Sequence, residues 1–243
     1  MKVLISQQEP SITAPFDNLR NNMGATIDFH PFFLVETLPA KDFRAEKINL
    51  PDYTAIVFSS KHAIDAYFHL CEEMRFKVPE TMKYFCTTEA VAMYLQKHIV
   101  YRKRKIFFGT GTPASVAALI TAKHKGEKFL ITTSANANTT PITSEFEKAG
   151  LDYTVGVLVR PVSQDLHGID LHSYDIIVMY NNSDVTSLYE NYPDFKQGDI
   201  KFISFGKSVV KAMEDAGLQI AVKGPSPEAP SAAKAIELCI NSK

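Results

Sequence analysis

One register recurs in this chain and constrains it more than any single motif. Leu4, Ile5, Pro15 and Gly24 reappear 126 positions later as Leu130, Ile131, Pro141 and Gly150, so a strand, a turn, a helix and a closing glycine are repeated in order. Phe58, Ser59, Ser60 and Ala63 match Tyr180, Asn181, Asn182 and Val185 at an offset of 122, and Lys83–Leu95 matches Lys201–Met213 at 118. Gly109 then matches Gly224 at 115. A shrinking offset is what short loop deletions produce in a duplicated unit. The 243 residues suffice for two units of roughly 100–150 residues each. Paired units of this kind commonly hold a ligand in the cleft they form.

Charge and cysteine content exclude several classes. A net charge of −1 gives no general attraction for nucleic acid or an anionic membrane, so a polyanionic ligand must be held by local donors and local charge. The three cysteines, Cys71, Cys86 and Cys239, are odd in number and widely spaced, which fits a reducing compartment rather than a disulfide framework. The segment MKVLISQQEP starts a strand after one positive charge and lacks the apolar stretch of a signal peptide. The chain therefore reads as cytoplasmic, and nothing in it demands more than a monomer.

Short apolar runs rich in β-branched and aromatic residues alternate with segments of helical period, the pattern of parallel sheets with crossover helices. The expected strands are 2–6, 26–34, 54–58, 83–86, 105–108, 128–132, 153–159, 175–180, 200–205 and 219–222. Between Ser60 and Arg75, Ala63, Ile64, Tyr67, Phe68, Cys71 and Met74 form one apolar stripe at spacings of three and four, which predicts a core-facing helix. Further helices are expected near 88–98, 113–124, 141–149, 184–191, 207–216 and 231–241, with Gly150 and Gly217 as stops. Segments 35–52 and 160–174 are polar or proline-marked and read as connections between the units.

Most strands end in hydroxyl or amide residues that open a helix: Ser59 and Ser60, Thr87 and Thr88, Thr112 before Pro113, Thr132 to Ser134, Asn181 to Ser183, Ser208, and Ser231. Taken singly, each reads as an N-cap. In open parallel sheets, however, these turns share the carboxyl edge, where free N–H groups and helix dipoles favour anions. Such an edge suits a ligand with many carboxylates.

Other patterns carry less. Gly109-Thr110-Gly111-Thr112-Pro113-Ala114 has the G-x-G-x-x-A form after a strand, but no acidic residue ends the next strand and proline opens the helix, so a dinucleotide site is not expected. The seven histidines show no metal-ligand spacing. Arg102, Lys103, Arg104 and Lys105 form one basic cluster before a strand. It reads either as protection of a sheet edge or as a site for an anionic ligand or partner.

Together the repeat, the size and three local motifs resemble the uroporphyrinogen-III synthase family over nearly the whole chain. Ile56-Val57-Phe58-Ser59-Ser60-Lys61-His62-Ala63-Ile64 is similar to the family's strand, Thr-Ser and Ala-Val segment. Phe202-Ile203-Ser204-Phe205-Gly206-Lys207-Ser208 is similar to its strand with Gly-Pro-Thr-Thr. Ala216-Gly217-Leu218 and Pro225-Ser226-Pro227, before the helix at Ser231–Ile240, resemble its carboxyl-terminal signature.

The resemblance implies an α/β fold of two similar parallel-sheet domains joined by a two-stranded linker. One domain would be discontinuous, 1–34 plus 162–243, the other 38–158, with linkers near 35–37 and 159–161. It implies closure of linear hydroxymethylbilane to uroporphyrinogen III, with loss of water and inversion of ring D through a spiro intermediate, without metal or organic cofactor. The partner is then a linear tetrapyrrole with eight carboxylates, and no nucleic acid or membrane. Candidate binding residues are Ser59, Ser60, Lys61, Thr87, Thr88, Asn181, Asn182, Ser183, Lys207 and Ser208, while catalytic roles stay unassigned. Lys207→Glu should weaken substrate binding more than the same change at Lys243.

Several family positions differ. The tyrosine that members often carry, thought to assist departure of the hydroxyl, falls on Val159. Ser-Pro-Ser-Gly becomes Asn181-Asn182-Ser183-Asp184, where Asp184 is expected to bring negative charge near substrate carboxylates with Lys207 offsetting it. An active synthase and a homologue that binds a tetrapyrrole or other polyanion without turnover are both compatible with these residues.

Overall fold

Alternation of apolar side chains on both faces of short β-branched runs forces these runs into sheets covered on two sides. The computed structural model describes residues 1–242. In chain order the first elements are β1 (Lys2–Ile5), α1 (Asp17–Asn21), β2 (Thr26–Phe29), β3 (Phe33–Thr37), α2 (Ala40–Ala45), β4 (Ala55–Phe58) and α3 (Lys61–Glu73). They are followed by β5 (Lys83–Cys86), α4 (Glu89–Tyr94), β6 (Ile106–Phe108), α5 (Pro113–Ala117), β7 (Lys128–Ser134), α6 (Thr140–Lys148) and β8 (Asp152–Ser163). The last are β9 (Ile176–Met179), α7 (Asn182–Asn191), β10 (Lys201–Phe205), α8 (Lys207–Asp215), β11 (Ile220–Gly224) and α9 (Ala232–Asn241). No helix among the described residues is long and apolar enough to cross a membrane.

The chain divides into two compact units, Met1–Leu34 with Val162–Lys243, and Val35–Pro161. The first holds a five-stranded sheet in the order β11-β10-β9-β1-β2, and the second a six-stranded sheet in the order β3-β8-β7-β4-β5-β6. The chain passes between the units within β3 and β8, which are neighbours in the six-stranded sheet.

Within each sheet, odd and even positions serve opposite faces. In the second unit Ile56, Phe58, Tyr84, Cys86 and Leu130 pack on one side, and Ala55, Val57, Phe85, Phe129 and Ile131 on the other. In the first unit Leu4, Ile177, Met179 and Phe202 face one way, and Val3, Ile5, Ile176, Val178 and Ile203 the other. Burying both faces removes the polar side chains an exposed sheet would need, which is why these strands read as continuous apolar runs.

The internal repeat is structural. Read from one edge, β6-β5-β4-β7-β8 of the second unit corresponds to β11-β10-β9-β1-β2 of the first, so the two sheets share one strand order. Registers agree as well: Leu4 pairs with Asp28 as Leu130 pairs with Thr154, both at an offset of 126. Gly24 and Gly150 close α1 and α6 with φ of 62° and 64°, a conformation that costs glycine nothing. One offset is corrected. Val57 pairs with Ile131 and Val178 with Ile5, so β4 and β9 correspond at 121 rather than 122. Ser60 and Asn181 are then equivalent, and each is the N-cap of its helix.

Three further expectations change. The strand expected over 26–34 is broken at His30–Phe32, around Pro31, whose missing N–H cannot extend a ladder; β2 and β3 belong to different sheets. Segment 35–52 is not a simple connection: it carries part of β3, α2 and a short 3-10 turn, and buries Phe43 and Leu50 in the second unit's core. The helix expected over 113–124 stops at Ala117, with a separate 3-10 turn at Ala122–His124.

Candidate functional site

Each sheet presents a carboxyl edge built from strand-to-helix turns. In the second unit β4 leads through Ser59 and Ser60 into α3, and β5 leads through Thr87 and Thr88 into α4. Phe58 pairs with Cys86, so these turns sit on neighbouring strand ends. Ser60 Oγ accepts the Ala63 N–H at 3.1 Å and Thr88 Oγ1 accepts that of Val91 at 3.3 Å. The Thr87 hydroxyl donates to the Ser59 carbonyl at 3.4 Å, tying the two turns together. With Ser60 occupied by the third N–H of α3, those of Lys61 and His62 are left for an external acceptor. The Lys61 ammonium lies 5.4 Å from the centre of the Tyr94 ring on α4, which directs its charge towards that helix.

At the end of β6, Gly109 and Thr110 make a local turn instead of a phosphate cradle. A Cβ on Gly109 would come 2.4 Å from Ser115 Oγ, and that hydroxyl accepts the Thr110 N–H at 2.9 Å while donating to the Thr112 carbonyl at 2.6 Å. The glycine is accounted for by this close approach. Thr132, expected among the strand-end residues, is buried and donates to the Val57 carbonyl at 2.7 Å.

In the first unit β9 leads through Asn181 into α7, and β10 through Gly206 into α8. Met179 pairs with Ser204, and α7 packs against α8, so Asn181, Asn182 and Ser183 sit beside Lys207 and Ser208. Asn181 Oδ1 accepts the Ser183 N–H at 3.1 Å. Gly206 offers α8 no side-chain cap, leaving the N–H groups of its first turn for water or a ligand. Lys207 and Ser208 are exposed there. An uncapped helix start with an adjacent ammonium is the most anion-attracting feature of this edge.

Asp184 does not act as expected. Its side chain is 1 % exposed, and one oxygen, Oδ2, accepts the N–H groups of Tyr180 at 2.8 Å and Asn181 at 2.9 Å, completing a capping box. Burial pushes its carboxyl up to about 6, against the opposing pull of those two N–H groups. It braces the β9–α7 turn from within and presents no charge at the surface. The signal was present in the sequence, because an amide residue followed three positions later by an acid is a capping pattern. Ser6, at the end of β1, is a further buried hydroxyl beside β9, its N–H bonded to the Val178 carbonyl at 3.0 Å.

Val159 is buried in the second unit's core. The β7–β8 register shifts between Thr133 and Ser134, so that Thr133 pairs with Val157 but Ser134 with Val159. The irregularity breaks the alternation of faces and lets Leu158 and Val159 join the same core cluster. A cavity of about 590 Å³ lies at the opposite, amino edge of the first unit, lined by residues such as Leu171, His172, Tyr192 and Phe195 and by none of the candidate binding residues. Among the described residues no three His, Cys, Asp or Glu side chains cluster as a metal site requires.

The family model for uroporphyrinogen-III synthase HemD matches residues 17–234. The chain belongs to the uroporphyrinogen-III synthase family. Solved structures agree in fold. Uroporphyrinogen-III synthetase from Helicobacter pylori 26695 superposes with a TM-score of 0.61 at 13 % identity, covering 100 % of this chain and 99 % of its own. A mutant uroporphyrinogen III synthase from the extremely thermophilic bacterium Thermus thermophilus gives 0.58 at 12 % identity, with the same coverage. No curated protein sequence matches the chain. Membership in the synthase family thus rests on the family model, and the two structures extend the shared α/β fold across the full length.

Proposed function

We propose that the chain closes hydroxymethylbilane to uroporphyrinogen III, and the family match over residues 17–234 is the observation that carries this reading. The two carboxyl edges support it. A substrate with eight carboxylates needs many charge-assisted hydrogen bonds, and helix starts supply N–H donors already aimed along the helix axis. Ser59, Ser60, Thr87 and Thr88 shape one set of donors; Asn181, Asn182, Ser183, Lys207 and Ser208 shape the other. Lys61 joins the first set through its backbone N–H.

The chemistry asks little of side-chain acids. Departure of the substrate's hydroxyl, which leaves as water after taking up a proton, generates a cationic carbon that the last pyrrole ring attacks. Holding the chain folded lowers the entropy to be lost at that step and selects the substituted ring position over the unsubstituted one. The fixed donors hold the substrate's carboxylates in place, and those negative charges stabilise the developing cation without reorganising.

The test is product analysis. The protein mixed with freshly generated hydroxymethylbilane should give isomer III above a protein-free control after oxidation and chromatographic separation of isomers I and III. A second reading, a homologue that binds the tetrapyrrole without turnover, is favoured by Val159, which has no hydroxyl to donate. Isomer I alone from folded protein that binds uroporphyrinogen would select that reading.

Lys207→Glu should raise KM about tenfold, equivalent to about 1.4 kcal/mol, because a carboxylate replaces an ammonium at an uncapped helix start. Lys243 lies outside the described residues, so Lys148→Glu, at an exposed position in the last turn of α6, serves as the comparison. Equal KM values for the two variants would remove Lys207 from the binding set.

A further inference from the structure

The basic cluster before β6 has no part in the candidate site. β5 and β6 run parallel, so Arg102–Lys105 lies at their amino ends, whereas Thr87 and Thr88 lie beyond their carboxyl ends, about 13 Å along a four-residue strand. Edge protection is a weak account of these charges. β6 is the edge strand, but it has three residues, and its shortness already limits pairing with another chain.

Beside the cluster is a recess of about 190 Å³ whose apolar lining includes Val78, Met82, Tyr84, Ile99 and Val100, with Arg102 and Lys105 among its walls. Val100 is 76 % exposed, an unusual position for a β-branched apolar side chain. Lys77 immediately precedes Val78, and Lys103 and Arg104 are exposed beside Arg102. Glu80 is the acidic side chain in the recess wall, held 3.4 Å from Arg102 and itself largely exposed. A strongly cationic rim around an apolar recess thus stands out on a chain whose total charge is −1.

We propose that this surface docks an acidic segment of a partner protein, with one apolar side chain of that segment seated in the recess and its carboxylates facing the rim. The volume argues for a side-chain anchor, since it falls below the roughly 300 Å³ at which small-molecule sites begin. An apolar anchor surrounded by charge complementarity is the usual division of labour at a protein interface: the anchor supplies affinity, the charges speed encounter and fix register. Nucleic acid fits less well, because the pI is 6.7 and the ring in the recess, Tyr84, is buried and cannot stack on a base. A membrane surface would ask for an amphipathic helix with several exposed apolar residues, and Val100 stands in a loop.

The probe is a synthetic glutamate-rich peptide with one central leucine, titrated against the full chain by NMR of the Val100 and Ile99 methyl groups. Single-stranded DNA and phosphatidylserine vesicles are the comparisons. Saturable shifts at both residues are expected, with affinity reduced at least tenfold by Arg102→Glu/Lys103→Glu/Arg104→Glu, by 0.5 M salt, and by replacing the peptide's leucine with serine. The triple variant should keep the wild-type circular dichroism spectrum and melting temperature, which shows that it is folded. Absence of peptide binding, equal binding by the triple variant, or tighter binding of DNA or vesicles than of peptide would each overturn the proposal.

Discussion

Asp184→Asn should abolish a pH-dependent destabilisation of the first unit and change the wild-type-minus-variant stability difference by roughly 1.4 kcal/mol between pH 7.5 and 5. The folded-state carboxyl is raised to about 6 from 3.8, so the folded chain holds its proton where the unfolded chain releases it. Stability from this group is fully present below pH 3.8 and is lost as pH rises through 6. The two limits differ by roughly 3 kcal/mol. Asparagine keeps an oxygen for the N–H groups of Tyr180 and Asn181 and cannot ionise, so the turn should survive and the pH term should vanish. Other carboxylates work in the opposite sense. Burial raises Asp65 and Glu127, but their hydrogen-bonded partners, His98 and Lys83 foremost, outweigh it and hold both below the usual carboxylate range. Their contribution is present at neutral pH and lost on acidification. For that reason the difference between wild type and variant, measured by urea melts at both pH values, is the quantity to follow. A difference that stays constant would show that Asp184 is ionised throughout the range.

Phe43→Ala should lower the stability of the second unit by roughly 3–5 kcal/mol, the cost of emptying a large, fully buried aromatic site. Phe43 is 0 % exposed on α2 and shares a core cluster with Leu38, Ile48, Leu50 and Tyr53. A helix of six residues has little stability of its own, so packing of this ring is what holds it in place. Denaturant melts followed by hydrogen exchange at Ile56 and Leu130, which lie in the same cluster, report the second unit directly. A loss below about 1 kcal/mol, the typical cost of an ordinary substitution, would return residues 35–52 to the role of a connection.

What the sequence reveals depends on how local the cause is. Buried parallel strands are legible because both faces must be apolar, and the α3 stripe from Ala63 to Met74 is legible because a helical period places it on one side. Gly150 and Gly217 announce helix ends through a backbone conformation that other residues resist. The segment around Phe43 is illegible because its stability comes from residues distant in sequence, and so short a helix has no periodicity to read. The break at Pro31 is visible locally, yet nothing local says that the halves on either side join different sheets. The one-residue slip between β4 and β9 has the same origin: Phe58 and Tyr180 look alike, whereas pairing with Ile131 and Ile5 decides the register. At the candidate site, capping residues such as Ser60 and Thr88 could be nominated from residue type and position. Asp184 is legible by the same rule, as the acid three positions after the amide cap Asn181, and reading it by charge alone places it on the surface instead.

The discontinuous sheet sets an order on synthesis. β1 leaves the ribosome long before one of its two neighbours, β9, which begins at Ile176, so the pairing of Leu4 with Ile177 joins strands more than 170 residues apart. Everything the six-stranded unit needs, Val35–Pro161, is complete before β9 exists. At about 5–20 residues per second, the first strand therefore waits on the order of ten seconds or more with an open side while an entire sheet is made after it. β2 can cover its other side early, and the mostly polar, proline-marked stretch Gln7–Asn18 helps keep the waiting segment soluble. The inserted unit is thus the first to be able to fold, although its sequence begins second.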